Sequence, residues 1–321
     1  MLTRRHLRIK VMQAVYAHQS VGEETIGEGE KKMLKSFGQL HDLFVYQLSF
    51  LVEIFDFAEQ KIEEGKNKLL PSREDLEPNT RFIDNRLIKK IRENRDYINN
   101  YNRLRINWKE HTDVVRKAYN TIRESELYKK YMEGDRDSFQ EDRKLLINLI
   151  KEFISDFQPL KQIYEEKSIF WDEDYYAASM MLLNAVEAVM PSDDEFVKLP
   201  AVFKDIDERG RSEDRQFAVD LFRKTVISGN KYDEVIAARA RNWEFERIAR
   251  VDVILLKMAI TELLEFPSIP VKVTLNEYIE ISKYYSTPKS RIFINGILDT
   301  LIAEMNAEGK IKKTGRGLID N

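Results

Sequence analysis

The chain has 321 residues, which is enough for one large or two ordinary domains. It contains no cysteine, which excludes disulfides, thiol nucleophiles and thiolate metal sites. The net charge is only -3, so any binding of nucleic acid must depend on a local basic patch. No segment approaches the roughly 18 apolar residues of a membrane span, and no apolar run typical of a signal peptide is found near the N-terminus. We therefore expect a cytoplasmic protein with no membrane partner.

The composition favours helices throughout. Charged residues make up 33% of the chain, whereas Gly and Pro occur only 12 and 8 times. An average domain has about 25% charged residues, and a surplus is typical of long exposed helices. Scarce Gly and Pro leave few turns for a chain of this length. The composition therefore predicts an all-α protein.

The first predicted helix covers residues 3 to 19 and has an apolar stripe at helical spacing. Its first turns carry four cations and no carboxylate: Arg4, Arg5, Arg8 and Lys10. Positive charge at a helix N-terminus opposes the helix dipole and costs some stability. The residues alone leave two interpretations open, a hydrated helix end or a surface that binds an anion.

The middle of the chain predicts long helices at residues 32 to 68, 82 to 131, 139 to 168 with a kink at Pro159, and 173 to 190. The helix predicted at 82 to 131 lies in a basic stretch, because residues 81 to 131 contain 14 Lys and Arg against 7 Asp and Glu. This excess favours a helix whose polar face is simply rich in basic residues. The alternative is that the helix extends the path of a bound RNA.

The last hundred residues predict a second helical bundle. Helices are expected at 213 to 230 and at 231 to 243, followed by a nearly continuous apolar helix from Val251 to Leu264. Pro267 and Pro270 then interrupt the chain.

Two further helices are expected after this break. One has Thr274 as its expected N-cap, and the other is "SRIFINGILDTLIAEM". Residues 306 to 321 form a basic tail that we expect to be flexible.

A motif in this last part resembles the C-terminal half of the NusB family of bacterial transcription antitermination factors. The motif combines a buried helix that ends in Glu-Leu, a Pro turn, a Lys-Val-x-x-Asn-Glu-x-Ile-Glu step and a Ser-x-x-Phe-x-Asn-Gly step. Its residues are Glu262, Leu263, Pro270, Lys272, Val273, Asn276, Glu277, Ile279, Glu280, Lys283, Ser290, Phe293, Asn295, Gly296, Leu298 and Asp299. The opening helix is similar to the family's first helix through its arginines and the run from Gln13 to Tyr16.

The resemblance implies a NusB-like helical bundle of two small subdomains, interrupted by an inserted helical bundle. Residues 1 to 20 would be the first helix, residues 21 to 212 the insertion, and residues 213 to 305 the remainder of the NusB-like domain. The first helix would pack against helices near position 220. A long insertion is tolerable because the entropy of loop closure grows only slowly with loop length.

The resemblance also implies a function in transcription. NusB-like proteins bind the boxA element of nascent ribosomal RNA together with ribosomal protein NusE, as part of an RNA polymerase antitermination complex. The expected RNA-binding residues are Arg4, Arg5, Arg8, Lys10, Tyr16, Lys272, Tyr285, Lys289, Ser290, Arg291 and Phe293. Their arginines and lysines would contact phosphates, and their aromatic rings would stack on bases.

Several of these residues have a structural alternative. Tyr16 and Phe293 could equally be core residues, and Lys272 could face solvent without contacting RNA. Asp252, at the start of the apolar helix, could contact RNA, although capping of that helix is favoured. Asn295 and Gly296 are expected to shape helix packing.

No enzyme class fits the residues. A di-iron helical bundle needs Glu-x-x-His pairs, and none of the four His residues has Glu three positions before it. The sequence contains no P-loop ending and no catalytic constellation, and it implies no metal and no cofactor. The alternative to an RNA-binding factor is a helical protein-interaction scaffold in which RNA binding is lost or secondary. The sequence leaves the oligomeric state open.

Overall fold

The structure, a computed structural model, describes residues 2–22, 25–134, 138–168, 170–204, 209, 211–240 and 248–318. Over these ranges the regular structure is entirely helical, which confirms the predicted all-α class. The α-helices are α1 (Arg4–Val21), α2 (Ile26–Lys66), α3 (Arg73–Leu76), α4 (Arg86–Glu93), α5 (Arg95–Arg103), α6 (Thr112–Glu124), α7 (Glu126–Glu133), α8 (Phe139–Leu149), α9 (Gln158–Lys167), α10 (Trp171–Ala188), α11 (Glu213–Ile227), α12 (Gly229–Ala237), α13 (Arg250–Glu265), α14 (Val271–Tyr285) and α15 (Pro288–Ala307).

The helices form two compact units. The central unit comprises residues 38–202, and the terminal unit comprises residues 2–37 together with the described residues from 203 onward. Helix α2 contributes its first residues to the terminal unit and the remainder to the central unit. The boundaries predicted for an insertion, residues 21 to 212, stay a prediction.

The terminal unit brings together helices from both ends of the chain. Helix α1 packs against α11 and α13, while α14 packs against α13 and α15. The ring of His18 meets the edge of Phe222, with ring centroids 5.8 Å apart. The first helix therefore lies beside helices near position 220, as the family resemblance implied.

The central unit is built around the middle and C-terminal part of α2, where Phe44, Phe50 and Phe55 are wholly buried. Phe55 stacks on Phe82 with ring centroids 4.0 Å apart. Trp108 donates a hydrogen bond from its indole nitrogen to Ser49 Oγ over 3.0 Å. An aromatic core of this kind stabilises the unit by removing large apolar areas from water.

The single helix predicted at 82 to 131 is wrong, because the chain forms four shorter helices there, α4 to α7. Asn94 starts α5 by accepting the amide of Tyr97, and Ser125 starts α7 by accepting the amide of Tyr128. Arg105, between α5 and α6, has a φ of 50°. Polar side chains that bond to nearby amides compete with continuous helix, so breaks arise without Gly or Pro.

The kink predicted at Pro159 is confirmed as a complete break between two helices. Helix α8 passes into a π-helical segment, Ile150–Ile154, and α9 then begins at Gln158 with Pro159 in its first turn. Proline suits the first turn because its missing N–H has no helical partner there.

Two expectations near the C-terminus differ from the structure. Thr274 lies inside α14, which begins at Val271, and its hydroxyl points to Glu262 instead of capping the helix. The described part of the tail is docked: Thr314 N donates to Pro267 O, and Lys313 Nζ donates to Phe266 O over 3.1 Å. The last carbonyl groups of α13 lack helical partners, so a lysine there is favourable.

Candidate nucleic-acid interface

The arginine-rich start of α1 is anchored by a buried ion pair. Arg8 donates from Nε and Nη2 to the two carboxylate oxygens of Glu262, over 2.8 and 2.7 Å. Thr274 and Tyr278 donate their hydroxyls to the same carboxylate, over 2.9 and 3.2 Å. Both charged side chains are almost fully buried. Glu262 thereby ties α1 and α14 to α13 through one fully hydrogen-bonded carboxylate.

The other two arginines also have carboxylate partners. Arg4 pairs with Asp214 over 2.9 Å and lies over the ring of Phe217. Arg5 donates from Nε and Nη2 to Glu277 over 3.0 and 2.9 Å, and this hydrogen bond raises the pKa of its guanidinium despite the opposing effect of burial. Both side chains remain about two-fifths exposed, at 42% and 41%. The positive charge of α1 is therefore largely balanced by α11, α13 and α14.

Four predicted RNA contacts lie in the interior. Arg8, Lys10, Ser290 and Phe293 have relative exposures of 2, 5, 5 and 5%. Arg8 is held by Glu262, and the hydroxyl of Ser290 is hydrogen-bonded to Ser286 and Thr287. A buried side chain cannot reach a ligand without repacking, so the structure gives these four a role in the bundle.

Asp252 is buried as well, at 3% exposure, in the first turn of α13. The N-cap of this helix is Ala249, which makes no side-chain hydrogen bond. A carboxylate in the first helical turn is favoured by the helix dipole. The capping predicted for Asp252 is therefore wrong, while its burial in the bundle also leaves it out of reach of RNA.

The turn between α14 and α15 carries the exposed part of the predicted site. Thr287 caps α15 by accepting the amide of Ser290, which places Lys289 and Arg291 in the first turn of the helix with exposed side chains. Lys272 is exposed in the first turn of α14, and Tyr285 is half-buried at the end of that helix. Lys289 and Arg291 thus follow the ring of Tyr285 at one turn, a combination suited to single-stranded RNA, whereas Lys272 lies at the opposite end of α14.

Glu280 interacts with cations from the first turns of two other helices, Arg5 of α1 and Arg291 of α15. The pKa of the Glu280 carboxyl is lowered, first by a hydrogen bond from Lys283 and more weakly by Arg5 and Arg291. Tyr284 also contributes to raising the pKa of the Arg5 guanidinium. The carboxylate of Glu280 on α14 therefore interacts with cations of both α1 and α15.

Tyr16 lies farther along α1, with 43% of its surface exposed. The guanidinium of Arg250 lies 5.0 Å from the centroid of its ring. Arg5 and Tyr16 are eleven residues apart, which is close to three full helical turns, so they project from nearly the same face of α1. The pair formed by Arg250 and Tyr16 therefore adds an exposed surface for stacking to that face.

Sequence reasoning missed Tyr284, Arg250 and Ile292. Tyr284 and Ile292 are 78% and 73% exposed beside the α14–α15 turn. The helical spacing of the sequence could have shown that Tyr284 is exposed. Tyr278 and Ile281 lie on the buried side of α14, and Tyr284 lies outside that side. Nothing in the sequence pattern links Arg250 to Tyr16, because their helices are far apart in the chain.

No group of three or more metal-binding side chains occurs among the described residues. None of the helices in the described ranges has the length and apolar character needed to cross a membrane. The exposed residues described above on the terminal unit combine cations with aromatic rings.

Comparison with known proteins identifies the family. The NusB family model matches residues 177–303. Three transcription antitermination proteins NusB are similar to the chain. The protein of Salinibacter ruber is 50% identical over 105 residues, which cover 33% of this chain and 66% of that protein. The protein of Chloroherpeton thalassium is 42% identical over 33% of this chain and 50% of its own length.

The third relative, from Koribacter versatilis, is 40% identical over 34% of this chain and 72% of its own length. No solved structure matches the chain. The chain belongs to the NusB family of transcription antitermination proteins, as its motif indicated. It spans 66% and 50% of the length of the first two relatives, and each match covers only about a third of this chain.

Proposed function

We propose that this protein is a non-catalytic RNA-binding adaptor of transcription antitermination. The terminal unit binds boxA-like RNA of nascent ribosomal transcripts together with ribosomal protein NusE, and joins them to the RNA polymerase antitermination complex in the cytoplasm. The observation that carries the proposal is the turn between α14 and α15, inside the segment that the family model matches, where Lys289 and Arg291 are both exposed.

The proposed contacts are the exposed members of the predicted set. Lys272, Lys289 and Arg291 bind phosphates, while Tyr285 and Tyr16 offer rings to unstacked bases. Phosphate contacts supply affinity that depends on salt, and stacking supplies selectivity for single strands. Tyr284 extends the same surface, because its ring is more exposed than that of Tyr285.

Arg4 and Arg5 have a smaller part in this proposal. Each guanidinium already has a carboxylate partner, so an RNA phosphate must share the group with Asp214 or Glu277. A guanidinium has five N–H donors, and the exposed ones stay available for a second acceptor. Their loss is therefore expected to weaken RNA binding less than the loss of Lys289 and Arg291.

The test is binding of a boxA-like single-stranded RNA and of a scrambled control over a series of salt concentrations, with and without NusE. The variant is Lys289→Ala/Arg291→Ala. The matched control is Lys66→Ala/Arg73→Ala in the central unit, where both cations are exposed and ion-paired. We expect tighter binding of the boxA-like RNA, loss of affinity of about tenfold or more in the variant, and no change in the control.

The salt series adds a second readout. Removing two phosphate contacts to single-stranded RNA should lower the slope of log affinity against log salt by about 1.4. Equal and weak binding of both RNAs by every variant, even with NusE, would favour a protein-interaction scaffold instead. The charge balance at the start of α1 is the observation that makes this second function worth testing.

A further inference from the structure

The basic stretch at residues 81 to 131 is not used by the proposed function, and it belongs to the central unit. Six cations between residues 105 and 130 are exposed and form no ion pair with any residue that the structure describes. They are Arg105, Lys109, Arg116, Lys117, Arg123 and Lys130. We call this set the α6 basic surface.

Helix α6 carries the centre of this surface. Val115, Tyr119 and Ile122 are buried and fix the inner side of the helix. Arg116 and Arg123 are seven residues apart, so they stand on one face with a rise of about 10 Å between them. The helix is held in place by the ring of Phe57, whose centroid is 5.5 Å from that of Tyr119. Arg116, Lys117 and Arg123 are thus displayed on a packed helix.

Carboxylates lie in the same stretch, but none that the structure describes forms an ion pair with these cations. Glu110, Asp113 and Glu124 lie in the same stretch, and all three are exposed. The pKa of the Glu64 carboxyl, on α2, is lowered chiefly by a hydrogen bond from Lys61. The charge of Arg116 lowers it only weakly. A polyanion with closely spaced charges can engage several of these cations, whereas isolated surface ion pairs contribute little.

The rest of this surface indicates which polyanion fits. No large apolar side chain is exposed in the described part of the chain between residues 77 and 168. Stable protein interfaces depend on buried apolar and aromatic anchors, which this surface does not offer. Tyr119 and Tyr131 are buried, so bases would find few rings for stacking there. What remains is attraction for a phosphate backbone.

We propose that the α6 basic surface binds the phosphate backbone of single-stranded RNA without sequence preference. The proposal shares its RNA partner with the proposed function but depends on different residues in the other unit. It gives the central unit a role in holding transcript beyond the boxA-like element. Release should be strongly dependent on salt, because each phosphate contact frees a counterion.

The test uses the full chain and an oligouridine of about 30 nucleotides that contains no boxA-like element. The variant Arg116→Gln/Lys117→Gln/Arg123→Gln removes three cations of the α6 basic surface. The control Lys66→Gln/Arg73→Gln/Lys161→Gln removes three cations of the same unit that are each paired with a carboxylate. Circular dichroism verifies that both variants keep the helical content of the wild type.

We expect the α6 variant to bind oligouridine about tenfold or more weakly than the control, with a salt slope lower by about 2. Equal affinities and equal slopes for variant and control would overturn the proposal. So would equally tight binding of polyglutamate that also depends on these three residues, since this would identify an acidic protein as the partner.

A short boxA-like RNA measured in parallel separates this proposal from the proposed function. If the short RNA binds and oligouridine does not, the α6 proposal is wrong and the proposed function stands. If oligouridine binds through the three cations while the boxA-like and scrambled short RNAs bind equally weakly, the proposed function is wrong and the α6 proposal stands.

Discussion

Arg8 was predicted to contact RNA, but in the structure it holds the helical bundle together. Its phase matches the apolar stripe, because Val11 and Val15 follow it at three and seven residues, and all three are buried. That phase could have been noticed in the sequence. Its partner Glu262 could not, because 254 residues separate the two and only the fold brings them together.

Removing Arg8 should therefore damage folding more than RNA contact. Arg8→Ala leaves the carboxylate of Glu262 buried with two hydroxyl donors and no opposite charge, which typically costs about 3–5 kcal/mol. We expect a loss of that size in urea unfolding followed by circular dichroism.

The control for this prediction is Arg5→Ala, whose partner Glu277 is only partly buried. It should cost no more than about 1 kcal/mol, because exposed ion pairs contribute little. Similar losses for Arg8→Ala and Arg5→Ala would show that the Arg8–Glu262 pair is not the anchor that its burial suggests.

His41 and His6 provide a test of burial that does not involve RNA. Burial lowers the pKa of both imidazoles below the usual 6.5, with Asp42 opposing the shift at His41 and Arg5 adding to it at His6. The unfolded chain therefore binds protons more readily, so stability is fully present above pH 6.5 and falls as the pH drops through the lowered values. NMR titration of the two imidazoles should give midpoints below 6.5, and a midpoint at or above 6.5 would contradict the structure.

At the scale of elements, the sequence predicted helices better than it predicted their ends. The apolar helix from Val251 and the closing helix were found because their periodicity is strong. The breaks at Asn94 and Ser125 were missed because both residues also occur within helices. Their capping role depends on the local chain direction, which long-range packing decides.

Asn94 should be the most sensitive of these helix breaks. Its side chain accepts the amide of Tyr97 over 2.8 Å and donates to Val197 O over 2.7 Å, so it both starts α5 and holds the segment after α10. Asn94→Ala removes both bonds and should cost about 1–2 kcal/mol. Asn94→Asp keeps only the cap and should recover part of the loss.

Hydrogen exchange provides the measurement for this prediction. The amide of Tyr97 should exchange faster in Asn94→Ala but not in Asn94→Asp, because only the alanine variant lacks an acceptor for it. Unchanged protection of Tyr97 in Asn94→Ala would mean that packing alone starts α5.

At the scale of the whole molecule, the family resemblance predicted that a foreign segment interrupts a NusB-like domain. The sequence suggested residues 21 to 212, whereas the compact central unit covers residues 38–202. The family model begins at residue 177 and therefore includes most of α10, which packs with the central unit. The family match and the compact units therefore divide the chain at different places. Helix α10 resembles a family helix in sequence, although its apolar side is buried in the central unit.

The points at which the chain leaves and re-enters the terminal unit suggest a decisive experiment. Phe37 and Phe203 belong to this unit, and their rings lie 4.8 Å apart between centroids. A flexible linker of about six residues can therefore join position 37 to position 203 with little entropic cost. Helices α1 and α11 to α15 all lie in the terminal unit, so the deletion removes none of them.

We expect the shortened chain to fold as a cooperative helical domain and to retain binding of a short boxA-like RNA, since all proposed contacts to that RNA lie outside residues 38–202. It should lose binding of oligouridine, because the α6 basic surface is removed. Circular dichroism, thermal unfolding and the two RNA titrations measure these outcomes. A shortened chain that remains unfolded would show that α10 belongs to the NusB-like core, as the extent of the family match would then imply.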